Sequence, residues 1–432
     1  MKYFRNTIAL LTLALTLILT ACDYNDDLNN SIAIQNHQYI QDYDYMVETL
    51  RQNFPYTGIA SRRFGIDFEA NIAAGRELLF AEEIIDNAQF IQHISRHIIN
   101  PMRQLGHLSV QSTDNLHLIL GNIYRGPINY NGEFIDLGEY AITYWGAKFE
   151  QLVRSDIAQK HYGNIEVDLG AYEPQMIRRN NLTTHIVDDE LGVALVRVSQ
   201  FWHYNIDHDL QIMKEFYSEI EDFNHLILDF RGNPGGFTRY FIQLFMAPNV
   251  SQDLEFSVYT LFMGGDHNLA WFEADTNDAR AFADTDLIKH NAADYMAGGF
   301  PLFNADDAAF LDYIIPRPIE IRSTGEMLFD GKIWILIDDN SASAVEYAAM
   351  YARATGFATI VGAPTRGVTG GGLVGFFALP NSGIIIRYDF GLFIDEYGRA
   401  IDEYGVMPDY FNREGLNALE TTLELIREME EK

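Results

Sequence analysis

The 432-residue sequence contains one cysteine, Cys22, so the chain forms no internal disulfide and its core must hold by packing alone. Beyond residue 20 no apolar run approaches the ~20 residues needed to cross a bilayer. Positive charge is also scarce: 30 Lys and Arg stand against 61 Asp and Glu, a formal net charge of −31. That balance argues against nucleic acid as a partner and against adhesion to anionic lipid through a basic patch. There is no internal repeat and no long low-complexity tract. What is present is a globular composition, 48% hydrophobic and 13% aromatic. Its length exceeds one comfortable core, so two or three packed subdomains are expected.

The opening segment predicts the compartment. Met1–Thr20 starts with Lys2 and Arg5 and continues as an apolar run from Ile8 to Leu19, the layout of a secretory signal. It ends in Leu19-Thr20-Ala21-Cys22, which resembles a bacterial lipobox, in which the cysteine is lipidated and becomes the mature N-terminus. An ordinary signal peptide with a chance cysteine, or a short membrane helix, would share the apolar run. The placement of the lone cysteine favours a lipoprotein, tied to the membrane by a lipid on Cys22 rather than by a spanning helix. The predicted organisation is a signal peptide over 1–21, a polar tether over 22–38, an N-terminal helical subdomain over 39–106, an irregular β-rich middle region over 107–190, and a core over 191–432 with an insertion near 251–316.

Periodicity predicts the scaffold. Tyr43, Met46, Val47, Leu50 and Phe54 recur at helical spacing before Pro55. A second helix starts near Asp86, with Gln89 placed as in a capping box. Leu116–Ile123 and Tyr140–Trp145 read as strand-like. From Leu191 strands alternate with helices: Val193–Val198, a helix striped by Ile206, Leu210, Met213 and Tyr217, the apolar Leu226–Phe230, then Ile333–Ile337, a helix over Ala344–Ala354 and the strand Thr359–Gly362. This alternation predicts an α/β core with a largely parallel sheet. In such sheets the chemistry gathers at the loops beyond the strand ends.

Three of those loops carry candidate chemistry. Ile337-Asp338-Asp339-Asn340-Ser341-Ala342-Ser343-Ala344-Val345-Glu346 runs from a strand into a helix, placing a serine beside free backbone N–H groups that could stabilise an oxyanion. Taken alone, Ser341 or Ser343 is an ordinary helix cap. Asp229-Phe230-Arg231-Gly232-Asn233-Pro234-Gly235-Gly236 ends an apolar strand in a Gly-rich turn with exposed amides. Thr359-Ile360-Val361-Gly362-Ala363-Pro364-Thr365-Arg366-Gly367 is again strand into loop.

In this order the three segments, with Asp402-Glu403-Tyr404-Gly405-Val406-Met407-Pro408-Asp409, resemble the core of the tail-specific (C-terminal processing) and tricorn-core serine peptidases. The match spans about half of the chain. It implies a crotonase-like ββα core and Ser343 as nucleophile of a serine-type endopeptidase acting on peptides or proteins through an acyl-enzyme. The tail-specific branch takes its base from a lysine after the Gly-x-Pro-Thr loop. Here Val368 occupies that position, and no lysine lies between Lys332 and Lys432. The tricorn-core branch uses a histidine instead, and Leu105-Gly106-His107-Leu108-Ser109 resembles its site. The resemblance thus implies Ser343, His107 and Asp402 as nucleophile, base and orienter, with Glu403 as the neighbouring candidate for the last role. It implies an oxyanion hole from Ala344 and one of Gly235 or Gly236. Glu346 reads as a helix-start charge that favours the dipole.

No cofactor or metal ligand set is expected. Gly370-Gly371-Gly372-Leu373-Val374-Gly375 fits a dinucleotide fingerprint only by its letters, since no helix is expected after it. No standard PDZ domain is expected between His107 and Val193, which leaves substrate selection to the middle region and to the aromatic segment over 251–316, expected as a lid or wall. Two other functions fit the same residues: a peptide- or ligand-binding lipoprotein that kept the scaffold and lost its base, and an esterase.

Overall fold

A computed structural model describes residues 37–81, 84, 86–125, 144–166, 177–282, 288–297, 299–369 and 372–431. The expected signal segment, Cys22 and residues 22–36 of the expected tether lie outside the described residues, while 37 and 38, also expected in the tether, belong to the first helix. None of the described helices is long and apolar enough to cross a membrane.

Residues 37–53 form the first helix, whose Tyr43, Met46, Leu50 and neighbouring Phe54 are buried, as the spacing predicts. Helices Thr57–Phe64 and Phe68–Ala81 follow. Asp86 caps Asn87–Ile94 by accepting the Gln89 N–H at 2.8 Å. A tight turn, Leu105–His107, then leads into a short strand, β1 (Ser109–Val110).

The middle region differs from expectation. Leu116–Ile123 lies inside a helix, Thr113–Arg125, whose Leu116 and Leu120 are buried four residues apart. A short apolar run does not by itself separate strand from helix. Tyr140–Trp145 lies largely outside the described residues, and from Tyr144 onward the chain is helical, through Tyr144–Val153 and Asp156–Tyr162.

The remaining strands are β2 (Leu182–Asp188), β3 (Val193–Val198), β4 (His225–Asp229), β5 (Leu254–Phe262), β6 (His290–Asn291), β7 (Tyr313–Ile321), β8 (Lys332–Ile337), β9 (Thr359–Gly362), β10 (Val374–Ala378), β11 (Ile385–Asp389), β12 (Leu392–Ile394) and β13 (Tyr410–Phe411). Six of them form the main sheet in the order β13-β9-β8-β4-β3-β2, parallel throughout except for the β2–β3 pair. β4 is buried along its length and β8 from Ile333 onward, as strands covered on both faces must be. One face packs on Ile206–Glu219 and Ala344–Thr355, the other on the closing helix Ala418–Glu430.

Two smaller antiparallel sheets complete the layers, β1-β11-β10 and β12-β5-β7-β6. The segment over 251–316 supplies most of the second sheet and the helix Asp266–Phe282. Its Trp271 and Phe272 are buried in the core shared with the N-terminal helices. The architecture is the α/β, crotonase-like arrangement that the strand–helix alternation and the motif order imply.

Candidate active site

Register brings the candidate loops together. Asp229 pairs with Leu336, and Ile337 pairs with Gly362, so β4, β8 and β9 release their loops side by side at one sheet edge. Hydrogen bonds then knit the loops. Ala342 N–H donates to Asn233 O at 3.1 Å and Arg366 N–H to Ser341 O at 2.8 Å. Thr365 Oγ1 accepts from Val406 N–H at 2.7 Å. Ser341 is fully buried, and its Oγ donates to Phe230 O at 2.9 Å while accepting from Asp338 N–H. It fastens the loop and is closed to substrate.

Ser343 caps the helix Ala344–Thr355 at φ 53°, ψ −118°, a strained conformation that holds its side chain at the loop tip. Gly235 lies against it. A Cβ there would stand 2.6 Å from Ala342 O and 2.7 Å from Ser343 Cβ, and its φ is 96°, so only glycine fits. The Gly235 N–H is already spent on Asn233 Oδ1 at 2.8 Å. The N–H groups of Gly236 and Ala344 have no acceptor among the described residues. Of the two glycines expected to share an oxyanion hole with Ala344, Gly236 is therefore the one with a free donor.

Glu346 is more than a favourable helix-start charge. It is fully buried and accepts from Ser343 N–H (2.9 Å), Thr365 Oγ1 (2.7 Å), Gly367 N–H (2.6 Å) and Val368 N–H (3.0 Å). Burial pushes its carboxyl from 4.5 up to about 7; the nearby Asp402 adds to the rise, and the donors oppose it. Val368, in the place of a possible lysine, is buried and has no proton to give or take at its side chain.

His107 comes from the other half of the chain. β1 pairs antiparallel with β11 through Ser109↔Arg387 and Val110↔Ile386, and continuing that register sets position 107 opposite position 389. His107 Nδ1 and Asp389 Oδ2 are 2.6 Å apart, with the carboxylate buried and the imidazole part-exposed. The other carboxylate oxygen of Asp389 accepts from Arg387 Nη2 at 3.2 Å. Gly106 permits the approach: a Cβ there would lie 2.5 Å from the Tyr56 ring.

The structure does not bring the orienters expected from the late motif to His107. Asp402 is buried and accepts from Thr369 Oγ1 (2.6 Å) and Thr369 N–H (3.2 Å). Glu403 is held in a two-pronged ion pair by Arg62, which also grips Asp307. Neither bonds His107. The residue that does, Asp389, was invisible to motif reading, because its partner is set by sheet register and not by spacing along the chain.

His107 and Ser343 face two adjoining pockets. One, of about 570 Å³, includes Gly236, Ala344, Tyr347 and Asp389; the other, of about 380 Å³, includes Pro234, Ser109 and Val368. A histidine paired to a carboxylate, a strained serine and two free amides converge where an acyl group could sit, an arrangement like that of serine hydrolases. The family model of peptidase family S41 matches residues 192–411, which hold the serine and both amides. The chain belongs to peptidase family S41.

It is accordingly a serine-type peptidase. Among solved structures the S41 chain is similar to mature CPAF complexed with lactacystin, at 13% identity and TM-score 0.50 over 91% of this chain and 97% of that one. It is also similar to the photosystem II D1 C-terminal processing protease (12%, TM-score 0.40, 91% and 96%) and to a lipoprotein from Streptococcus agalactiae (11%, TM-score 0.43, 90% and 96%). No curated protein matches it. None of the described residues of 251–316, expected as a lid or wall of the S41 cleft, lines either pocket.

Proposed function

We propose that this chain hydrolyses peptide bonds through an acyl-enzyme on Ser343, with His107 as base and Asp389 as its orienter. The observation that carries this reading is the 2.6 Å His107–Asp389 contact on the wall of the pocket that holds Ser343. Neutral His107 holds its Nδ1 proton toward Asp389, leaving Nε2 as the acceptor for the serine proton. Ser343 Oγ attacks the scissile carbonyl, and the oxygen's new charge is met by the N–H groups of Gly236 and Ala344. The imidazolium returns its proton to the leaving amine. Water, deprotonated by the same His107, then cleaves the acyl ester and restores Ser343. The missing lysine is compatible with activity on this reading, since the histidine supplies the base.

The test is labelling of the mature protein by a fluorophosphonate, which traps activated serines. Loss in Ser343→Ala and His107→Ala, with retention in Ser341→Ala, is the expected pattern. Absence of labelling in the folded wild type would instead favour a binding protein on a retired scaffold.

The reading extends to location: an extracytoplasmic lipoprotein held at the membrane by a lipid on Cys22. The apolar Ile8–Leu19 run and the lone cysteine at its end support this. Membrane fractionation checks it, since Cys22→Ser should move the protein from the membrane to the soluble fraction.

A further inference from the structure

The pocket on the oxyanion side of Ser343 is rich in donors that nothing in the chain satisfies. Arg239 stands on the short helix Thr238–Phe241, three residues past Gly236, and lines the 570 Å³ pocket. Its guanidinium enters no ion pair among the described residues, and its Nε is buried with no acceptor. Burial pulls its pKa down, while Asp207 acts on it only at a distance. Tyr347 and Tyr351 line the same pocket, and neither phenol O–H has a protein partner among the described residues. Tyr351 is only 5% exposed. A second guanidinium stands close by. The Cβ position of Gly372, on the pocket wall, lies 3.3 Å from Tyr347 Oη and 3.8 Å from Arg317 Nη1. Arg317 gives Nη2 to Asp275 at 3.1 Å but leaves a buried Nε without an acceptor.

One carboxylate lines the pocket, Asp389, and both of its oxygens are engaged, by His107 and by Arg387. In a chain with twice as many acidic as basic residues, Arg239 stands out by having no carboxylate partner among the described residues. An apolar side chain entering here would leave buried donors unmatched, and a lysine would meet like charge. A group with two acceptor oxygens and a negative charge matches guanidinium and phenol together. The second pocket continues the cleft past Ser343 and His107, which gives a polypeptide room on both sides of the cut.

We propose that this pocket binds an Asp or Glu side chain of the substrate beside the scissile bond, so that the enzyme cleaves next to acidic residues. This rests on the placement of Ser343 as nucleophile.

The experiment digests a peptide library with the wild-type enzyme and locates the cuts by mass spectrometry. It then compares kcat/KM for C-terminally amidated, internally quenched peptides that differ only in Glu or Gln beside the cut. Amidation removes the terminal carboxylate as a competing anion. Charge-assisted bonding predicts a preference for Glu of about tenfold or more. The ratio should collapse toward parity in Arg239→Met and recover in part in Arg239→Lys. Equal or faster cleavage of the Gln peptide by wild type overturns the inference, as does a ratio that survives in Arg239→Met. Should Arg239→Met fail to fold, Tyr351→Phe decides: a reduced ratio supports the pocket, an unchanged one overturns it. Fluorophosphonate labelling of the same wild-type preparation separates the two levels. A labelled enzyme indifferent to Glu or Gln overturns the pocket inference alone, whereas an unlabelled one overturns the nucleophile and the pocket with it.

Discussion

Asp389 has one carboxylate oxygen on His107 and the other on Arg387, and almost none of it is exposed to water. Replacing it by Asn keeps the shape but lets the amide face the imidazole with either an oxygen or an NH₂, so the tautomer that leaves Nε2 free is no longer enforced. Asp389→Asn should therefore slow fluorophosphonate labelling by about 10³–10⁴ while the protein stays folded by circular dichroism. Asp402→Asn, which spares the His107 contact, should slow it by a far smaller factor; equal losses would return Asp402 to the triad. Glu346 offers a second residue-scale test. Its native pKa of about 7 exceeds its ordinary 4.5, so the folded state holds that proton more tightly than the unfolded state. The stability it contributes is complete below about 4.5 and is lost as pH rises through 7, on the order of 3 kcal/mol. Glu346→Gln should flatten the unfolding midpoint between pH 4.5 and 7 relative to wild type, and parallel curves would disprove the assignment. Ser343 could be singled out in the sequence only because four segments occur together in one order; its own loop reads as a helix cap. Asp389 could not be, since Arg387-Tyr388-Asp389 reads as the end of any half-buried strand.

At the scale of elements, parallel strands and the loops between them were readable, because β3, β4 and β8 are short apolar runs bounded by turn residues. The middle helices were misread where a run such as Leu116–Ile123 satisfies both periods. What neither pattern reveals is how elements distant in sequence dock. Arg63, in the last turn of Thr57–Phe64, is an example. Its guanidinium donates to the carbonyls of Asp402 (2.7 Å), Gly367 (3.2 Å) and Arg366, fastening an N-terminal helix to the loops that flank Ser343. The contact is part-buried, and desolvation lowers the guanidinium's pKa even though nearby carboxylates oppose that. Hydrogen bonds from a charged donor to carbonyls are worth more than neutral ones, so Arg63→Met should cost about 2–3 kcal/mol in chemical unfolding. It should also slow probe labelling, because the loop around Gly367 is shared with Glu346 and thus with the Ser343 backbone. A variant with normal stability and normal labelling would show that the docking is set elsewhere.

For the whole molecule the decisive feature is that Ser343 and His107, the proposed nucleophile and base, come from opposite halves of the chain, so the proposed site exists only if the halves are one body. The packing answers that requirement. Tyr43, Leu50, Phe54 and Phe149 share a single core with Phe376, Ile385, Ile386 and Tyr388. Polar contacts run beside it: Asp42 accepts the N–H groups of Asn381 (2.8 Å) and Ser382 (2.7 Å), and Tyr162 Oη accepts from Ile385 N–H at 3.0 Å. β1 completes the sheet of β10 and β11, so the strand that delivers His107 is paired before any substrate arrives. Such an interface is apolar and continuous, and its strength does not depend on covalent continuity between the halves. A protease site introduced between Glu166 and Ile177 and then cut should therefore leave a nicked protein that elutes as one species on size exclusion and still labels at Ser343. The two pieces should part only in denaturant. Halves that separate under native conditions would mean the shared core is weaker than its buried residues indicate. Intact association with lost labelling would locate the failure in the alignment of His107 with Ser343, because the pieces would still be packed while the register that places His107, the proposed base, had slipped.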